Sequence, residues 1–177
     1  MSFVESFQRF AHYNQLMNQS VYNAAALITA EQLIENRGAY FKSVLGTLNH
    51  ILVGDIHWFK RFAQHESQPD MLDYFVNHRL PQSLDEIMYA DFTELRRSRE
   101  IMDQQIISFT AALSDEVLAS TLTFRSSKGL EFTKNFGFVL QHVFNHQTHH
   151  RGQVSTLLFQ MGVDVGVTDF FVLVPSE

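Results

Sequence analysis

The sequence predicts an all-α fold, a four-helix bundle with a short β-hairpin before the last long helix. Three observations indicate this class: apolar residues recur every three or four positions over long stretches, helix-starting motifs occur, and only 3 of 177 residues are proline. A chain of this length removes about 70% of its extended surface from water on folding, so one core suffices. We therefore expect a single domain over residues 1–177.

The first two helices are predicted from caps and apolar spacing. Ser2 and Glu5 form a capping box, which starts a helix that runs to about Ile28. Residues 29–38 form a connector, with a helical turn begun by Thr29 and an end at Gly38. Apolar residues at helical spacing predict the second helix from residue 39 to about residue 62.

A long loop and a third helix follow. The loop covers residues 66–82 and is bracketed by Pro69 and Pro81. Ser83 and Glu86 resemble a second capping box, so we expect the third helix to begin there. It runs to about residue 113 without glycine or proline.

The hairpin and the fourth helix complete the chain. Apolar residues alternate on both sides of the turn residues 126–129, which predicts two short antiparallel strands. Asn135 is placed to cap a fourth helix that runs to about Met161, with Gly162 as its stop. We expect the C-terminal tail that follows to pack along the bundle.

Composition restricts the function. The chain has no cysteine, so any metal must be held by His, Asp or Glu. The net charge of −6 disfavours a nucleic-acid partner, and we interpret Arg96, Arg97 and Arg99 as a solvated helix face with the pairs Arg96–Glu100 and Arg99–Asp103. No signal peptide and no membrane-length apolar run occurs, so we expect a cytoplasmic protein without a membrane partner.

Histidines cluster in the predicted fourth helix. Four of the nine lie within residues 142–150, and on a helical wheel His146 and His150 point most nearly toward the apolar stripe. Two imidazoles one turn apart can bind one divalent ion, and a facing helix can supply a third ligand. The alternative is a set of hydrogen-bonded core or rim histidines. Gln147 stands where a zincin needs Glu, and the Glu-x-x-His of di-iron bundles is absent from the sequence.

At these positions the sequence resembles the DinB/YfiT-like family of proposed metal-dependent enzymes, over nearly its whole length. The residues that carry the resemblance are Tyr13, Asn14, Asn18, Leu48, Asn49, His50, Asp55, Trp58 and the stretch 145–153. Members are four-helix bundles in which one histidine of the second helix and an H-x-x-x-H pair of the last hold a metal. The resemblance implies His50, His146 and His150 as the metal ligands, and a homodimer.

Three neutral imidazoles leave open positions on a divalent ion, which is typical of a catalytic site and suits Zn²⁺, Ni²⁺, Mn²⁺ or Fe²⁺. Such an ion favours the deprotonated form of a water or thiol near neutral pH. The resemblance implies transfer or isomerisation of a small-molecule substrate with a low-molecular-weight thiol, or hydrolysis. Two alternatives stay open: a non-enzymatic metal-binding stress-response bundle, and a DNA-associated damage-response factor, which the negative charge disfavours.

Several nearby residues have two interpretations. Asp55 lies on the apolar stripe of the second helix and needs a donor partner, either a histidine that it orients or another helix. Small side chains around His50 are expected to leave space above a metal; these are Gly46, Thr47, Val53 and Gly54. Arg151 and Gln153 either contact substrate or make a surface salt bridge and a hydrogen bond to a ligand.

The remaining aromatic and histidine side chains are expected to have structural or surface roles. Trp58 is predicted to belong to the core, because apolar residues around it recur at helical spacing. His57 is interpreted as a rim residue. His142 and His149 flank the proposed pair and are the alternative ligands, while His12, His65 and His78 are predicted to be exposed to solvent.

Overall fold

The structure, a computed structural model, describes residues 2–66, 72–126 and 128–174. Its long helices are α1 (Phe3–Ala25), α3 (Val44–Phe62), α5 (Phe92–Ala111) and α7 (Phe136–Phe159). Short helices lie between them: α2 (Ala30–Ile34), α4 (Asp73–Asn77) and α6 (Asp115–Ala119). Strands β1 (Thr121–Arg125) and β2 (Glu131–Asn135) pair antiparallel before α7, and a 3-10 helix covers Phe170–Leu173. The predicted helical bundle with a hairpin before its last helix is confirmed.

The long helices pack side by side around an apolar core. Helix α1 lies against α5 and α7, and α3 lies against α7. Aromatic rings fill the core at one end, where Phe59 stacks on Phe75 at 4.6 Å between centroids and meets Phe109 edge-on at 5.2 Å. Each such buried ring contributes about 1.5–3 kcal/mol to folding. The middle of the bundle carries a polar interior instead, described below.

Three side chains cap helices at the positions that the sequence predicts. Ser2 and Thr29 form complete capping boxes at the starts of α1 and α2. The Asn135 side chain accepts a hydrogen bond from the Phe138 amide at the start of α7, at 3.0 Å. Each cap satisfies a backbone amide that the helix itself cannot bond.

Two predicted boundaries of the first half were wrong by a few residues. Helix α1 ends at Ala25 rather than Ile28, because the chain becomes extended at Thr29 to cap α2. Helix α3 begins at Val44 rather than residue 39, since Lys42 has a left-handed φ of 70° and Ser43 caps the helix.

The predicted start of the third long helix at Ser83 was also wrong. The Ser83 hydroxyl donates to Asp85 at 2.6 Å, and the Glu86 carboxylate is bound by Arg79 and by the Gln82 amide. With both side chains of the apparent capping box occupied elsewhere, residues 83–90 form an irregular segment. Helix α5 instead begins at Phe92, with the Asp91 side chain accepting from the Glu94 amide at 2.9 Å.

The loop expected at 66–82 contains helix α4, because Phe75 is buried against the aromatic core. Pro69 lies outside the described residues, as do residue 127 of the predicted turn and residues 175–177 of the tail. The described tail packs on the bundle as expected: Phe170 stacks on Phe10 at 4.8 Å, and Tyr13 donates to the Thr168 carbonyl. Within the described residues, no helix is both long and apolar enough to cross a membrane.

Candidate metal centre

Helices α3 and α7 bring three histidines together at their contact. The Nε2 atom of His50 lies 3.0 Å from Nε2 of His146 and 3.1 Å from Nε2 of His150. Their ligand atoms all lie within 4.8 Å of one another, which makes this a group that could hold a metal ion. The histidines singled out by helical phase and family resemblance therefore meet at one point.

Hydrogen bonds to the outer ring nitrogens fix two of the three imidazoles. His50 Nδ1 lies 2.7 Å from the carbonyl oxygen of Leu84, which can only accept, so Nδ1 carries the proton. His150 Nδ1 lies 2.7 Å from Gln153 Oε1 and donates to it in the same way. Both Nε2 atoms therefore direct lone pairs into the centre. This is the arrangement in which a partner of the outer nitrogen orients a metal-binding histidine.

The donor set fits a small divalent cation. The Nε2 lone pairs of His50 and His150 lie on atoms 3.1 Å apart and repel one another unless a positive charge lies between them. Three imidazole nitrogens on a tetrahedral ion with Zn–N bonds of about 2.0–2.1 Å would lie about 3.3 Å apart, close to the spacing here.

Burial keeps the three imidazoles neutral. It lowers the pKa of His50 to about 4, against the opposing effect of the Leu84 hydrogen bond. It lowers the pKa of His146 to about 3, with the neighbouring histidines adding to the shift, and it also lowers the pKa of His150. At neutral pH the imidazoles therefore lose no proton when they bind a metal.

The walls of the centre are tighter than the small residues suggest. A Cβ at Gly54 would lie 2.8 Å from Cε1 of His146, and one at Gly46 would lie 2.1 Å from the Phe41 carbonyl oxygen. The Phe41 ring also stacks on His50 at 3.7 Å. The expectation that these glycines leave open space was wrong, since an imidazole and a backbone carbonyl occupy it.

Asp55 joins three helices of the bundle rather than a histidine. Gln147 Nε2 lies 2.9 Å from both carboxylate oxygens, and Arg99 of α5 forms a salt bridge with Oδ2. Burial raises the pKa of Asp55 to about 6, and the Arg99 charge limits that rise. Of the two interpretations of Asp55, the helix-to-helix contact is the one that the structure has.

Arg99 and Asp103 lie inside the bundle, which corrects their interpretation as a solvated pair. Arg99 Nη2 lies 2.9 Å from Asp103 Oδ1, and both side chains are almost fully buried. The companion pair Arg96–Glu100 does lie at the surface, at 3.1 Å. Arg99 therefore serves as the shared counter-ion of Asp55 and Asp103.

Arg151 is likewise buried and does not form the surface salt bridge considered for it. Its guanidinium donates to Asn14 and, at 3.2 Å, to Gln147 Oε1. Asn18 Nδ2 lies 2.9 Å from Asp103 and so closes the network from α1. Burial lowers the pKa of Arg151 to about 10, which still leaves it charged at neutral pH. Two arginines and two aspartates thus balance in charge beside the histidines.

Known proteins resemble this chain in sequence and in fold. The DinB family profile matches residues 1–175. The chain belongs to the DinB family. Among relatives of this DinB-family chain, Protein DinB of Bacillus subtilis strain 168 is 25% identical over 158 residues, covering 89% of this chain and 87% of that protein. The uncharacterised protein YizA of the same strain is 21% identical over 150 residues, covering 83% and 82%.

A solved structure supports the fold of this DinB-family member. The crystal structure of a DinB-like protein from Bacillus cereus ATCC 10987 superposes with a TM-score of 0.56 at 19% identity. It covers 93% of this chain and 94% of that one.

The other histidines of this DinB-family chain lie around the centre or away from it. His142 packs on Trp58 at 5.1 Å, and the exposed His149 lies near Gln153.

Three histidines away from the centre were predicted to be exposed to solvent. His12 is exposed as predicted. His65 is half-buried rather than exposed, and its Nε2 lies 2.9 Å from the Ser120 hydroxyl. His78 is half-buried beside Tyr74.

Helical phase could have revealed part of the missed network. Gln147 lies at about 140° on the α7 wheel, near the apolar centre at about 110°. Arg99 shares a face of α5 with Leu95 and Met102, and all three are buried. Asn14 and Asn18 were singled out by family resemblance alone, although both lie on the buried stripe of α1. The Leu84 carbonyl carries no signal in the sequence, because every residue has one.

Proposed function

We propose that this chain is a metal-dependent enzyme in which His50, His146 and His150 hold one divalent transition-metal ion. The observation that supports this most directly is the convergence of three Nε2 atoms. The ion we propose is Zn²⁺, Ni²⁺, Mn²⁺ or Fe²⁺, and imidazole nitrogen is best suited to zinc, nickel and iron.

The proposed substrate is a small molecule, with a low-molecular-weight thiol as co-substrate. A bound ion with three protein ligands keeps open positions and favours the anion of a thiol or water held there. The chain has no cysteine, so a sulfur nucleophile has to come from the co-substrate. Within this scheme the Leu84 carbonyl and Gln153 orient the imidazoles, and the Phe41 ring shields one face of His50 from water. Transfer, isomerisation and hydrolysis all fit this scheme.

Metal analysis tests the first step. Untagged protein purified without nickel resin is expected to contain one transition-metal ion per chain. His50→Ala, His146→Ala and His150→Ala are each expected to lose it while circular dichroism shows an unchanged fold. His12→Ala, on the exposed face of α1, is the matched control and should retain the metal. Absence of metal in the wild type, with no thermal shift on adding Zn²⁺, Ni²⁺ or Mn²⁺, would overturn the proposal.

Turnover tests the second step. Metal-loaded protein is assayed with a panel of thiols and electrophilic or ester substrates, and the three alanine variants are expected to be inactive. Metal binding that raises the melting temperature without any turnover would favour the non-enzymatic metal-binding bundle instead. The homodimer implied by family resemblance stays a prediction, which light scattering coupled to size exclusion measures.

A further inference from the structure

A groove of about 430 Å³ lies between α3 and the hairpin, away from the three-histidine centre. Its basic side chains are His57, Lys60 and Arg61 from α3 and Arg125 from β1, and we call it the cationic groove. Phe124 and Glu131 also line it. None of these basic residues belongs to the proposed metal centre.

The cationic groove concentrates positive charge in a chain whose net charge is −6. Glu131 is the carboxylate among the lining residues, and it lies 3.5 Å from Arg125 with both side chains mostly exposed. Such a pair is screened by water and contributes little. Lys60 donates to the Val76 carbonyl at 2.8 Å, which orients the ammonium group without neutralising it.

Arg61 is held in position by aromatic rings rather than by a carboxylate. Its guanidinium carbon lies 4.4 Å from the Trp58 ring centroid and 5.3 Å from that of Phe124. Among the described residues, no carboxylate lies within salt-bridge distance of Arg61. A planar guanidinium with fixed orientation is well suited to bidentate binding of a carboxylate or phosphate.

A line of rings connects the groove to the histidine centre. Trp58, which holds Arg61, lies 5.1 Å from His142, and His142 lies 6.0 Å from His146. His57 follows His50 by two helical turns, which separates the two positions by about 10.5 Å along α3. Trp58, predicted to be a core residue, is therefore half-buried at the edge between the two sites.

We propose that the cationic groove binds the anionic end, a carboxylate or phosphate, of a small-molecule substrate whose reacting group lies at the histidine centre. The lining positions from His57 to Arg61 lie about 10 to 17 Å from His50 along α3, which corresponds to an extended peptide of about three to five residues. The position of the reacting group rests on the proposed function. Binding of the anion by the groove does not, because it needs no metal.

Trp58 is the only tryptophan of the chain, so its fluorescence reports directly on the groove. Metal-free and Zn²⁺-loaded protein are titrated with malonate and with inorganic phosphate, with sodium chloride at matched ionic strength as the reference. We expect a saturable change with at least one of the two anions in both forms. Tighter binding of malonate identifies a carboxylate ligand, and tighter binding of phosphate identifies a phosphate ligand.

Variants assign the binding to the groove. Arg61→Gln and Arg125→Gln are each expected to weaken anion binding about tenfold or more, because each removes a charge-assisted hydrogen bond. Arg97→Gln removes the same charge from an exposed position on α5 and should leave the affinity unchanged. Circular dichroism verifies that each variant is folded.

Two results would overturn the inference: no saturable response beyond that of chloride, or equal weakening in Arg97→Gln and in the groove variants. The two proposals fail separately. Anion binding by a protein that takes up no metal overturns the proposed function and retains the groove. Metal uptake without anion binding overturns the inference about the groove and leaves the proposed function standing.

Discussion

The side-chain amide of Gln147 lies 2.9 Å from each carboxylate oxygen of Asp55, which joins α7 to α3 immediately beside His146. Arg151, the residue after His150, reaches the same network through Asn14 and Gln147. Each α7 histidine of the candidate centre is thus followed by a residue anchored in the polar interior. One row of α7 presents imidazoles, and the adjacent row fixes the rotation of the helix.

Replacing Gln147 by Leu should destabilise the protein by about 1–3 kcal/mol, because Asp55 loses a buried donor and Arg151 loses an acceptor. The free energy of unfolding in urea measures this. Gln141→Leu makes the same change on the same helix, where the amide donates to the exposed Asn145, and serves as the control. Equal stabilities of the two variants would contradict the prediction.

Replacing Arg99 by Met should cost about 3–5 kcal/mol, since it leaves Asp55 and Asp103 buried without their counter-ion. Arg96→Met, three positions earlier on α5, removes the surface pair with Glu100 and a hydrogen bond to Asn23, and should cost only about 1 kcal/mol. Urea unfolding compares the two variants. A similar loss in both would mean that the interior pair contributes no more than the surface pair.

Gly54→Ala should weaken metal binding about 10- to 100-fold, because the new methyl group displaces the His146 imidazole. The backbone should tolerate the change, since alanine is favoured over glycine within a helix by about 1 kcal/mol. Gly152→Ala is the control, because a Cβ there meets nothing within 4 Å. Competition with a chromophoric chelator measures the affinities, and unchanged affinity in Gly54→Ala would refute the steric explanation.

Metal-free protein should lose stability as the pH falls from about 6.5 toward 4. The folded pKa values of His50 and His146, about 4 and 3, lie below the ordinary value of 6.5, so the unfolded chain binds more protons in this interval. Thermal unfolding across the interval should show a smaller pH slope for His146→Gln than for the wild type. An equal slope in His146→Gln and the wild type would contradict the prediction.

Helical phase predicted the parts of the fold that repeat and two of the three histidines that converge, whereas His50 was predicted from the family resemblance. It placed His146 and His150 on one face because a helix fixes side-chain directions every 100°. The Ser83–Glu86 pattern gave a wrong helix start, because a capping box requires both side chains to bond the backbone amides of the first turn. Here Ser83 bonds Asp85 and Glu86 bonds Arg79 instead. A local motif cannot report such competition.

The polar interior was harder to predict because charged residues are ordinarily solvated. Arg99 and Asp103 stand at i,i+4 spacing, which describes a surface pair as well as a buried one. Only the positions of Asp55, Gln147 and Arg99 on the apolar stripes of three different helices distinguish the two cases. Recognising such a network requires the helices to be considered together.

Gln147 and Arg151 anchor α7, so the histidines become ordered when the chain folds. Most of the entropy lost in ordering them is therefore lost on folding rather than on ion uptake. A one-residue deletion between Gln147 and His150 would rotate His146 and His150 by about 100° relative to each other and disrupt both rows of the helix. The candidate centre is therefore preorganised. Its backbone should change little between the apo and metal-loaded forms, and any binding enthalpy should come chiefly from the ion and its immediate contacts.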